Sequence, residues 1–303
     1  MSKTLVVITG PTGVGKTAVS IEVALYFNTE IVSCDSRQIF KELSIGTAVP
    51  SPRELEMVPH HFIQTHSISD NYNASRYETE ALHKLENLFE KHDIVLLVGG
   101  SMLYIDAVYK GIDEMPDADP EIRATLKKQL SEEGIESLRR QLKNIDPDYY
   151  RQVDLKNPAR IVHALEISLM TGKPYSAFRT NPKKERPFKV IFVGLNIERG
   201  LLHQRINERV DKMVAAGLIE EARKVYPHKH LTALNTVGYR ELFRWFDGEI
   251  SREKAIELIK RNSRRYARKQ ITWFRRNENM RWFNPKETSI ILDYINEEIN
   301  KHE

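Results

Sequence analysis

A single cysteine, Cys34, stands in 303 residues. It excludes a disulfide within the chain and any zinc site built from several cysteines. A reducing, cytoplasmic compartment is therefore expected. No apolar stretch approaches the roughly 20 residues that span a bilayer, so no membrane association is expected. The opening Met-Ser-Lys-Thr-Leu-Val-Val-Ile holds too short an apolar run for a signal peptide. With 14 glycines and 13 prolines the chain is neither collagen-like nor of low complexity. Hydrophobic residues make up 41% and charged residues 29%, as in an ordinary globular protein. The length suits two domains of about 150 residues each and buries a core without staples.

An excess of charge is also missing: 46 basic residues face 42 acidic ones. The distribution is uneven. Between Lys260 and Arg281 there are nine basic residues and one acid, Glu278. Without that window the chain carries 37 basic and 41 acidic residues. The positive potential is thus concentrated in one segment.

Apolar, β-branched runs at Lys3–Thr9, Glu30–Cys34, Ile94–Val98 and Val190–Leu195 read as buried strands. Helical spacing appears at Lys16–Phe27 and Ser75–Lys91. Strands alternating with helices imply βαβ units and a parallel sheet. From Asp113 to Pro187 the pattern turns all-helical, with helices expected at Glu121–Leu130, Ile135–Leu142 and Asn157–Thr171. Asn157 is the expected N-cap of the last, with Pro158 in its first turn. The expected fold is therefore α/β, a P-loop NTPase-like parallel sheet flanked by helices. Residues 1–114 and 187–303 form its core, and 115–186 form a small all-helical insertion. After Glu198, helices are expected at Arg199–Tyr226, Gly238–Phe246 and Ser251–Arg276.

Gly10-Pro11-Thr12-Gly13-Val14-Gly15-Lys16-Thr17 matches G-x-x-x-x-G-K-[ST], after a strand and before a helix. Glycines let backbone N–H groups wrap a phosphate, and the helix N-terminus presents its positive end to the same anion. Lys16 adds a point charge, and the Thr17 hydroxyl is the expected Mg2+ ligand. A diphosphate or triphosphate ligand follows; the bland alternative is an ordinary Gly-rich turn. No carboxylate ends the Ile94–Val98 strand, which runs into Gly99-Gly100-Ser101. The strand-end acid is Asp35, in Asp35-Ser36-Arg37-Gln38, at the carboxyl edge where α/β sheets bind ligands. That segment suits reading a hydrogen-bonding heterocycle, and its carboxylate can accept a proton. Equally, Asp35 would cap a helix and Arg37 would pair with a surface acid.

These motifs together resemble the tRNA dimethylallyltransferase family. The resemblance rests on Gly10–Thr17, Asp35–Gln38, Val58-Pro59-His60-His61, Gly99–Tyr104, Asn157-Pro158-Ala159-Arg160, Thr236–Arg240 and Arg268–Arg275, in family order. It implies transfer of a dimethylallyl group from dimethylallyl diphosphate. The acceptor would be N6 of the adenosine 3′ of the anticodon, in tRNAs reading codons that begin with U. Asp35 matches the family's general base, and Lys16 and Thr17 join it as catalytic residues. Gly10, Pro11, Thr12, Gly13, Val14, Gly15, Lys16, Thr17 and Arg209 would bind the donor, with Arg205 a rival to Arg209. Asp35, Ser36, Arg37, Gln38, Ser101, Arg123, Ala159, Arg160, Ile161, Val162 and His163 match positions that contact tRNA. The expected partners are the tRNA anticodon stem-loop and the prenyl diphosphate, with Mg2+ as cofactor and a monomeric enzyme.

The chain departs from the family in carrying Ser101 where Thr is commoner, Met102 where Gly is, and Phe40 where Tyr is. It also lacks the C-terminal zinc finger of eukaryotic relatives, which points to a bacterial-type enzyme. The competing readings are a P-loop small-molecule or nucleoside kinase, and a nucleic-acid-binding module with a regulatory nucleotide site. The basic face of Lys260–Arg281 is expected to meet phosphates, with Tyr266, Trp273 and Phe274 in the core. His60, His61 and His66 fit no zinc spacing.

Overall fold

In the computed structural model of the chain, residues 3–116, 119–180 and 184–301 are described. Residues 1–2, 117–118, 181–183 and 302–303, which the expected domain ranges include, lie outside them. The chain divides into two compact units, Met1–Tyr109 with Glu185–Glu303, and Lys110–Lys184.

The larger unit runs β1 (Thr4–Thr9), α1 (Lys16–Tyr26), β2 (Ile31–Ser33), α2 (Pro52–Met57), β3 (His60–His61), α3 (Ala74–Phe89), β4 (Ile94–Gly99) and α4 (Met102–Lys110). The smaller unit holds α5 (Pro120–Glu133), α6 (Ile135–Ile145), α7 (Pro147–Gln152) and α8 (Pro158–Thr171). The larger unit resumes with β5 (Lys189–Leu195), α9 (Arg199–Ala215), α10 (Leu218–Val225), α11 (Tyr239–Phe246), α12 (Arg252–Phe274), β6 (Arg281–Phe283) and α13 (Thr288–Asn300).

Six strands form one all-parallel sheet in the order β3-β2-β4-β1-β5-β6. The alternation along β1 explains why it is apolar throughout. Leu5 and Val7 join one core with Tyr77 and Leu85, while Val6 and Ile8 join the other with Val19 and Val23. Both faces of the strand are covered, as parallel sheets require.

Several elements differ from the sequence reading. The helix expected over Arg199–Tyr226 is broken at Gly217, whose φ of 103° cannot continue a right-handed helix. The edge strands β3 and β6 hold two and three residues, too few to show periodicity. Helix α13 covers the second core through Ile291 and Ile295.

The smaller unit has its own core of Leu126, Leu138, Leu142, Ile161 and Leu165. The Asn157 side chain accepts the Arg160 N–H and caps α8, and Gly172 ends that helix in the left-handed conformation. Among the described residues no helix is long and apolar enough to cross a membrane.

Candidate active site

Strand β1 delivers Gly10–Gly15 to the carboxyl edge of the sheet, and Gly15 (φ 108°) starts α1. Lys16 Nζ folds back onto the carbonyls of Gly10 and Pro11, each at 3.1 Å. Burial, reinforced by the Arg209 guanidinium, pulls the Lys16 ammonium down to about 8, against the opposing pull of Asp35. The Thr17 hydroxyl makes no hydrogen bond among the described residues and faces a cavity of about 200 Å³.

Helix α9 places its two arginines differently. Arg209 reaches the Thr12 hydroxyl at 3.3 Å and lines the cavity, whereas Arg205 donates to the Val14 carbonyl and does not line it. Burial lowers the Arg209 guanidinium's affinity for its proton, and Asp35 opposes that.

A second cavity of about 310 Å³ is lined by Asp35, Ser36, Arg37, Ser101 and Arg240. Thr12, Asp35, Thr47, Arg209 and Tyr266 line both cavities, so the two meet at these residues. Asp35 Oδ1 accepts the N–H groups of Arg37 (2.9 Å) and Gln38 (3.3 Å), and Oδ2 has no hydrogen-bond partner among the described residues. Asp35 thus shapes its turn with one oxygen. Among the described residues Arg37 pairs with no surface acid; its guanidinium donates to the carbonyls of Thr232 and Ala233. The Gln38 amide nitrogen holds the carbonyls of Thr47 and Ala48. Ser101 Oγ accepts the Ser36 N–H at 2.8 Å and donates to the Ser36 hydroxyl at 3.0 Å.

The glycine pair after β4 has a steric origin. A Cβ on Gly99 would lie 2.7 Å from Cys34 Sγ, and one on Gly100 would lie 2.3 Å from Gln270 Nε2. Where a nucleotide hydrolase carries an acid, this chain has Gln270 against bare backbone.

Gln270 and Glu221 hold the loops that line the two cavities, a role the sequence reading assigns to neither. Gln270 accepts the Thr12 N–H and donates to the Gly100 carbonyl, each at 2.9 Å. The Glu221 carboxylate gathers the N–H groups of Ser44, Ile45 and Gly46 and the Tyr239 hydroxyl, at 2.6–2.9 Å. It thereby fixes the loop that carries Gly46 and Thr47 into the cavity wall. Gln270 lies in the Arg268–Arg275 motif, but no local pattern gives either residue its partner, because both act on segments far away in sequence. Tyr266 was expected in the core with Trp273 and Phe274. Phe274 is buried, but Tyr266 is 36% exposed and faces both cavities.

On α12 the side chains of Arg265, Arg268 and Lys269 are exposed, while Lys260 is paired with Asp211 at 2.6 Å. Arg275, Arg276 and Arg281 extend the exposed basic surface beyond the helix. The three histidines separate: His60 bonds the Val58 carbonyl, His61 bonds Glu30, and His66 lies 3.5 Å from Glu80. Among the described residues no group of three His, Cys, Asp or Glu could hold a metal ion.

In the smaller unit, Arg123 donates to Glu166 Oε2 through both Nε (3.1 Å) and Nη2 (2.7 Å). Ala159 and Arg160 are exposed and His163 is half-buried. Ile161 and Val162 are 0% and 7% exposed and turn their side chains into the core of this unit.

A parallel sheet whose glycine-loop cavity meets a second cavity at Asp35, the acid that follows β2, is the frame of a P-loop-fold group transferase. The family model described as IPP transferase matches residues 38–277. A tRNA dimethylallyltransferase of Bacteroides fragilis is 54% identical over 97% of this chain and 98% of its own length. One from Christiangramia forsetii is 52% identical over 99% of this chain and 100% of its own. Among solved structures, the tRNA isopentenylpyrophosphate transferase of Bacillus halodurans has a TM-score of 0.71 at 34% identity, covering 99% of this chain and 98% of that one. A eukaryotic dimethylallyltransferase, described as acting on tRNA, gives 0.77 at 26% identity over 95% of this chain and 75% of its own. The chain belongs to the tRNA dimethylallyltransferase family.

Proposed function

We propose that the protein transfers the dimethylallyl group of dimethylallyl diphosphate to N6 of the adenosine 3′ of the anticodon, in tRNAs reading codons that begin with U. The observation that carries this is the meeting of the two cavities at Asp35, whose Oδ2 makes no hydrogen bond among the described residues. The P-loop cavity suits the donor, and the cavity of Ser36, Arg37 and Ser101 suits an extruded adenine.

An exocyclic adenine amine is a weak nucleophile, and the base must leave its stack at a cost of a few kcal/mol. As N6 attacks C1, the C1–O bond breaks and the diphosphate leaves with the electron pair. Asp35 takes the N6 proton. Lys16, the loop N–H groups and Arg209 stabilise the negative charge that develops on the diphosphate, a contribution that usually dominates such sites.

Mg2+ fits this site as an ion carried by the diphosphate and water, with the unpaired Thr17 hydroxyl as its one protein ligand. When bound, it would neutralise charge on the leaving group. The smaller unit is read as an RNA-binding element acting through Arg123, Ala159, Arg160 and His163, with the exposed basic residues of α12 on the backbone. The enzyme is read as a cytoplasmic monomer.

The test is diphosphate release. It is expected only when an anticodon stem-loop and dimethylallyl diphosphate are both present. ATP consumption in the absence of RNA would replace this reading by the kinase.

A further inference from the structure

Five residues line both cavities, and C1 of the donor must lie among them when the new bond forms. Thr12 and Thr47 are small and polar, Asp35 is the acid, and Arg209 is a cation already facing Lys16. Tyr266 is the one residue there with an extended apolar face. It projects from the turn of α12 that precedes Gln270, whose bond to Thr12 ties the helix to the phosphate loop. Its hydroxyl makes no hydrogen bond among the described residues. The ring is therefore held at the junction by its helix and not by a polar partner.

We propose that the ring of Tyr266 is a catalytic contact for prenyl transfer, its π-face covering the allylic carbons as positive charge develops on them. The inference rests on the reading of the P-loop cavity as the donor site. When the C1–O bond lengthens, the electron pair goes to the diphosphate and positive charge spreads over C1 and C3 of the allyl group. Cations at the face of an aromatic ring gain roughly 0.5–2 kcal/mol, the larger value when water is excluded. That gain exists only in the transition state, so it appears in kcat and not in donor affinity. Burial, with Asp35 assisting, pushes the phenol up to about 12, so the ring stays neutral and does not compete with Asp35 for the proton.

The experiment compares Tyr266→Phe, Tyr266→Trp and Tyr266→Leu in steady-state diphosphate release, with dimethylallyl diphosphate and an anticodon stem-loop each varied. Unfolding temperatures are measured alongside. Wild-type release with both substrates establishes the donor reading first; without it that reading fails before Tyr266 is tested. Tyr266→Phe is expected to keep kcat within about threefold and Tyr266→Trp to keep most of it. Tyr266→Leu is expected to lower kcat by about 10–30-fold, with KM for the donor within about threefold. An equal loss in Tyr266→Phe and Tyr266→Leu would assign the effect to the hydroxyl and overturn the proposal. So would a raised KM for RNA with unchanged kcat in Tyr266→Leu, which would make the ring a stacking platform for the base.

Discussion

Gln270 holds Thr12: a side chain on the inner face of the basic helix accepts the backbone N–H of the phosphate loop at 2.9 Å, across 258 positions of sequence. The same amide donates to the Gly100 carbonyl, so one residue occupies a part-buried donor and a buried acceptor. Gln270→Leu strands both groups, at about 1–3 kcal/mol for each. Gln270→Glu keeps the acceptor for Thr12 and turns a carboxylate against the Gly100 carbonyl and the diphosphate. Thermal unfolding should show the greater loss for the leucine variant. Donor titration should show at least a tenfold weakening for the glutamate variant.

Asp35→Asn keeps the turn, since an amide oxygen still accepts the Arg37 and Gln38 N–H groups. It removes the proton acceptor. Turnover is expected to fall about 10²–10⁴-fold, the range for a lost general base, with RNA affinity within a few-fold. Single-turnover kinetics at saturating RNA check this, and near-normal turnover would exclude Asp35 as the base.

Lys16 gives the site a pH dependence with a defined sign. Its ammonium titrates at about 8 in the free protein, and a bound diphosphate favours the charged form, raising that value in the complex. Donor affinity should be full below pH 8 and fall as pH rises through it, with proton uptake on binding in that range. The unfolded chain, with an ordinary lysine near 10.5, holds more protons between 8 and 10.5. The Lys16 contribution to stability of the empty protein should therefore rise with pH over that window. Calorimetric titration in buffers of different ionisation enthalpy reads the uptake directly.

Arg123 and Glu166 separate two roles. Glu166 is 0% exposed and its Oε1 has no hydrogen-bond partner among the described residues, so the carboxylate relies on the Arg123 contact and on His163, 3.7 Å from Oε2. Arg123→Ala should destabilise the helical unit by about 1–3 kcal/mol through the stranded acceptor. If Arg123 also meets an RNA phosphate, the same change lowers RNA affinity and reduces the salt slope by about 1. Glu166→Gln keeps the arginine, so its RNA salt slope should match wild type.

The sequence made the catalytic frame legible where the signal was local. A strand, a glycine loop and a helix lie within 26 residues, and the loop can be read without knowing the fold. Asp35 was visible because it ends a β-branched run. Gln270, Glu221 and Tyr266 were not visible in the same way. Each acts on a segment that becomes its neighbour only when the sheet is assembled, and a glutamine or a glutamate on a helix usually faces solvent. Ile161 and Val162 differ from Ala159 and Arg160 because a helix turns successive side chains to different faces: the first two point into the core of the smaller unit, and the other two are exposed.

The position of β1 in the sheet sets a schedule for synthesis. Its hydrogen-bonded neighbours are β4 and β5, in register Thr4 with Ile94 on one side and with Lys189 on the other. One side of the first strand therefore waits until residue 195 has left the ribosome, and Gln270 reaches Thr12 later still. At about 5–20 residues per second the wait from β1 to β5 is roughly 10–40 s. During that time a strand buried along its whole length has one edge without its partner. A slowed or truncated synthesis ending before β5 would leave that edge open to pairing with other chains.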